Sequence, residues 1–90
     1  MDPLYDALTP DDAMEMQLTA RLIYETRENR RTVLEAMGVT DEVELLGRIA
    51  RNELPEHPAY EHYLAARILR DTHDTARQLM TDALKEINQR

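Results

Sequence analysis

Apolar residues return at three- and four-residue spacing over three stretches of the chain, two long and one short. Leu18, Leu22, Val33 and Met37 mark the first. Val43, Leu46, Ile49 and Ala50 mark the short second stretch. The third carries Leu64, Ala65, Ile68, Leu69, Ala76, Leu79, Met80, Ala83, Leu84 and Ile87. This spacing is that of an amphipathic helix, and nowhere does strict apolar–polar alternation suggest a strand.

The punctuation sets the boundaries. Thr9 stands as N-cap before Pro10, with Asp11 and Asp12 in the first turn. Proline at the first helical position loses no hydrogen bond, and acids there complement the helix dipole. Gly38 supplies a left-handed C-terminal residue. Thr40 is the expected cap of the short segment, and Gly47 weakens its interior by about 1 kcal/mol relative to alanine. Pro55 and Pro58 frame the entry to the last segment. The spacing therefore predicts helices over 10–37, 41–52 and 58–88. Residues 1–9 form an N-terminal arm, in which Leu4, Tyr5 and Leu8 can make one apolar turn, and residues 10–90 form a single helical domain.

The expected fold is all-α, an antiparallel hairpin of two long helices with a short helix between them. On a wheel of 100° per residue the apolar positions of the last helix span roughly 200°, wider than one partner helix needs. The first helix covers one side of that arc, and the short helix is too small for the rest. A second copy, completing a dimeric four-helix bundle, is the economical solution. Leu69, Met80 and Leu84 are expected at its seam.

Both long helices lose their stripe at mid-length. Residues 25–32, Glu-Thr-Arg-Glu-Asn-Arg-Arg-Thr, contain no apolar side chain. Residues 71–75, Asp-Thr-His-Asp-Thr, interrupt the last helix in the same way. Extending the stripe of the first helix places Thr26, Asn29 and Arg30 on the core side, opposite Thr72 and His73. Three readings follow. The polar residues form a hydrogen-bonded layer that fixes register, as a buried asparagine does in a coiled coil, with Arg30 paired to Asp71 or Glu28. Alternatively the bundle opens there, and Arg27, Arg30 and Arg31 bind an anion or an acidic partner. In the third reading Glu25, Glu28 and His73 hold a metal. Metal bundles with bridging carboxylates carry Glu-x-x-His on facing helices, and this chain has no such spacing. Tyr60 and Tyr63, at the start of the last helix, offer apolar area with a polar tip to a partner or to the short helix.

Composition narrows the function classes. The chain has 90 residues, no cysteine, no tryptophan and no phenylalanine, and a net charge of −7. Disulfides and thiolate chemistry are excluded. Nonspecific duplex binding needs neutralising Lys and Arg, which the acidic balance opposes. Residues 1–16 carry five acids and no base; this reads first as a soluble surface with its charge away from zero, and second as an end that a basic protein partner could meet. No apolar run approaches the roughly 20 residues of a membrane span, and an acidic N-terminus is unlike a signal peptide. A cytoplasmic protein is expected. There is no phosphate loop, nucleophile elbow or catalytic triad, and i,i+4 pairs such as Glu44–Arg48, Arg67–Asp71 and Arg70–Asp74 only support the helices. The residues lead to a non-enzymatic, cofactor-free, homodimeric protein-interaction module acting as adaptor, inhibitor or regulator. A metal-binding helical bundle of ferritin-like kind is the alternative.

Overall fold

The computed structural model describes residues 8–90. Three helices account for the secondary structure of the described residues: α1 (Pro10–Ala36), α2 (Glu42–Ala50) and α3 (Glu56–Asn88). There is no strand among the described residues. Of the expected arm, Leu4 and Tyr5 lie outside them.

Each boundary has a local cause. At the start of α1 the Thr9 hydroxyl accepts the Asp12 N–H at 3.1 Å, and the Thr9 N–H donates to the Asp12 carboxylate at 3.2 Å. This reciprocal box satisfies two of the donors that a helix start leaves open. At the other end Gly38 adopts φ 70°, the Val39 N–H reaches the Leu34 carbonyl, and the Gly38 N–H reaches that of Glu35. That is a Schellman motif, closed by apolar contact because Leu34 and Val39 both belong to the core. The same motif ends α2, with Asn52 in the left-handed position at φ 58° and the Glu53 N–H on the Arg48 carbonyl. The cap of α2 is Asp41, not Thr40: the Asp41 carboxylate accepts the Glu44 N–H at 2.7 Å. Thr40 instead gives its N–H and hydroxyl to the Glu44 carboxylate. His57 has non-helical backbone angles, so the regular part of α3 begins beyond it, as the two prolines predict.

α1 and α3 run antiparallel along a body of 58 × 17 × 17 Å. Arg90 at the end of α3 reaches Asp12 at the start of α1, which fixes the register at the open end of the hairpin. The closed end holds the main core: Leu34, Val39, Leu45, Ala59 and Ala66, edged by Val33, Met37, Ile49, Leu54 and Tyr63. Alanines at 59, 66 and 76 let the helices approach closely. Leu45 is the one large side chain wholly removed from solvent among the described residues. Leu69, Met80 and Leu84 are half-buried within the single chain. No helix is long and apolar enough to cross a membrane among the described residues.

Candidate functional site

The polar middle resolves into separate local arrangements. Thr26 is buried as expected, but its hydroxyl donates to the Leu22 carbonyl of its own helix at 2.7 Å. Asn29 is exposed, contrary to the expectation that it points inward. Its position explains why. Asn29 follows Leu18 and Leu22 by eleven and seven residues, so it does share their face; that face of α1 is itself turned outward. Arg30 is half-buried, and its partner is neither Asp71 nor Glu28. It grips Glu42, the first residue of α2, through two bonds of 2.6 Å, from Nε to Oε1 and from Nη2 to Oε2. Thr72 and His73 are half-buried, and His73 Nδ1 lies 3.6 Å from its neighbour Asp74. No hydrogen bond links Thr26, Asn29, Arg30 and Thr72 to one another among the described residues, so the expected layer does not form within one chain.

The Arg30–Glu42 pair is the ion pair that joins α1 to α2 among the described residues. The Glu42 side chain is only 5% exposed and that of Arg30 30%. The guanidinium bonds hold the Glu42 carboxyl below the usual glutamate value of 4.5, against the opposing effect of burial. The carboxylate likewise strengthens Arg30's hold on its proton. Glu42 also sits where a helix N-terminus favours negative charge.

The arginines proposed as an open patch have local partners. Arg27 lies 5.6 Å over the Tyr24 ring and 3.7 Å from Glu28. Arg31 pairs with Glu28 at 2.5 Å and Glu35 at 3.3 Å. Glu25 is taken by Arg21 at 2.7 Å. The set Glu25, Glu28 and His73 is therefore not assembled as metal ligands: both carboxylates are held by arginines on the surface of α1. No group of three or more His, Asp or Glu side chains is placed to hold a metal ion among the described residues. Tyr60 and Tyr63 stack at 6.0 Å, with Tyr63 against the core and Tyr60 exposed.

Sequence reasoning expected an uncovered arc but set its seam at Leu69, Met80 and Leu84, which the single chain half-buries; the bare residues are others, on the side of the hairpin opposite α2. α2 packs beside Tyr63 and Arg70 of α3. Away from that face, Leu18 and Leu22 on α1 and Ile68 and Leu79 on α3 stay exposed, Ile68 at 64%. Spacings of four residues on α1 and eleven on α3 keep each pair on one flank. Leu18 and Leu79 line one groove, which puts the two flanks on the same side of the hairpin. Thr72, one turn beyond Ile68, and Asn29 continue this surface. The signal was present in the wide apolar arc of the last helix.

No curated protein and no solved structure matches this chain. A family model described as the uncharacterized protein MJ0235 family matches residues 9–88, the whole of the three-helix unit, and the chain belongs to that family.

Proposed function

We propose that two copies of this chain pair through the uncovered flank into a four-helix bundle, and that the dimer works in the cytoplasm as a protein-interaction module, an adaptor, inhibitor or regulator, and not as an enzyme. The observation that carries this reading is the exposed aliphatic row of Leu64 and Ile68, in the middle and closed end of the side that α2 leaves bare; Leu18 and Leu79, nearer the open end, lie outside the seam. Large aliphatic side chains gain roughly 1.5–3 kcal/mol each on full burial, and a single hairpin cannot bury this row. A two-fold axis near Ile68 lays the middle and closed end of one copy against the other. Asn29 and Thr72 then enter the seam as polar positions amid aliphatics, the role by which such residues fix register in helical assemblies. The outer turns of the open end extend beyond the overlap.

Light scattering on a sizing column tests the pairing. Wild-type protein is expected at twice the chain mass, Ile68→Glu at the chain mass with its helical circular dichroism kept. Val43→Glu, on the exposed surface of α2, is expected to remain dimeric. A dimer that survives Ile68→Glu but is lost with Val43→Glu would move the seam to the α2 side and refute this arrangement.

A further inference from the structure

At the open end of the hairpin a groove of about 510 Å³ lies between α1 and α3. Its floor is apolar and adaptable, built from Met16, Leu18, Leu79, Met80 and Ile87. Methionine fills irregular contacts and is favoured where a surface must accommodate a partner. Leu18 and Leu79 stand 60% and 55% exposed, so the floor is left open among the described residues. The walls carry Asp12, Glu15, Asp82 and Glu86 against a single base, Arg90. Arg90 bonds Asp12 and Glu86, and the Arg90 guanidinium, together with the Thr9 hydrogen bonds, keeps the Asp12 carboxyl ionised below its usual range. Glu15 and Asp82 have no cationic partner among the described residues.

We infer that this groove docks a basic amphipathic helix from a partner protein, its aliphatic side chains on the floor and its lysines or arginines against Glu15, Asp82 and the acids beside them. Groove-bound helices lay an apolar face into an apolar groove, and acidic walls beside this floor match a helix whose apolar stripe is flanked by cations. Charge decides between this occupant and a second copy of the chain. Another copy brings a net −7 to an already acidic groove, whereas a cationic helix is drawn in and its association accelerated. The inference rests on the reading of the chain as a protein-interaction module, and names the partner's chemistry.

The test uses an 18-residue fluorescent peptide of leucine and lysine patterned as an amphipathic helix, with a leucine–glutamate peptide of the same pattern as control. Fluorescence anisotropy against the full chain is expected to show binding of the first and not the second, weakening as salt rises. Glu15→Gln combined with Asp82→Asn is expected to weaken binding about tenfold, as is Leu79→Ser, while Glu53→Gln with Glu56→Gln leaves affinity within about twofold. Light scattering on the same samples reports the dimer separately. Absence of binding with the dimer intact would overturn the groove's assignment and leave the dimeric reading standing. Equal loss from the distant Glu53/Glu56 pair would reduce the effect to overall acidity and overturn it as well. Loss of the dimer in Leu79→Ser or the Glu15/Asp82 variant would identify the occupant as a second copy, against the inference.

Discussion

Replacing Arg30 with methionine removes the guanidinium and keeps much of the aliphatic stem. Glu42 then loses both 2.6 Å bonds while its side chain remains 5% exposed. Breaking a buried pair from one side costs about 3–5 kcal/mol, because the remaining charge stays desolvated and unpaired. Arg30 is 30% exposed, so water reaches part of the site and the expected cost falls to about 2–3 kcal/mol, near that of losing hydrogen bonds to a charged group. Glu42→Leu in the Arg30→Met background removes the stranded charge and is expected to recover most of that loss. Urea unfolding of the four corners of this cycle gives the coupling directly, expected to exceed 1 kcal/mol on the order seen for contacting pairs. Acid supplies an independent check. The folded carboxyl of Glu42 titrates below its usual 4.5, so the unfolded chain binds its proton first as pH falls. The pair's contribution is therefore complete above about pH 5 and is lost as pH drops through the usual glutamate value toward the lower folded one. Glu42→Gln should flatten that part of the stability–pH curve. A cost for Arg30→Met below about 0.5 kcal/mol, in the range of an ordinary surface pair, would refute the view that this contact fastens α2 to the hairpin.

Gly38→Ala is expected to destabilise by about 1–2 kcal/mol, read as a lower thermal midpoint; nothing lies within 4 Å of an added Cβ, so the cost comes from φ 70° alone. Leu45→Ala, at the most enclosed aliphatic position, should cost about 2–5 kcal/mol in urea unfolding, and a cost under about 1 kcal/mol would mean that α2 packs loosely. Thr26→Val should change stability by less than about 1 kcal/mol in either direction, because the lost hydroxyl bonds only the Leu22 and Ile23 carbonyls of its own helix and leaves no orphaned partner; a loss of 2 kcal/mol or more would restore a structural role for the polar middle.

The elements were legible in the sequence because their ends are written locally. The Thr9-Pro10 start, the Gly38 stop and the Pro55–Pro58 entry each act through backbone geometry within a few residues, and the helices observed begin and end within about two residues of those predicted. The cap of α2 was misassigned between two adjacent residues, Thr40 and Asp41, both of which can cap. Side-chain partners were less legible. Glu44–Arg48 pairs at 3.2 Å as expected within one helix, but Arg70 turns to Asp71 and not to Asp74. Arg30's partner lies on a separate helix, and helical periodicity carries no instruction about which way a short connecting helix folds back. The phase of α1 misled for a related reason. Leu18 and Leu22 form a genuine stripe, yet it lies on the uncovered flank of the hairpin and not at the α1–α3 core, so extending it carried Asn29 to the wrong side. A sequence whose apolar residues serve two surfaces shows one pattern and does not say which surface belongs to the chain itself.

The absence of cysteine lets one spin label report on the uncovered flank. With Asn29→Cys labelled, pulsed dipolar spectroscopy on the full chain at micromolar concentration sees only labels on different copies. Pairing through this flank places the two labels across one helix–helix seam, where axes lie about 8–10 Å apart, and a label at Val43→Cys, on the α2 side, should lie farther from its counterpart. A short, well-defined distance at position 29 with a longer one at 43 is the expected result. No intermolecular coupling at either position, or the shorter distance at 43, would contradict it.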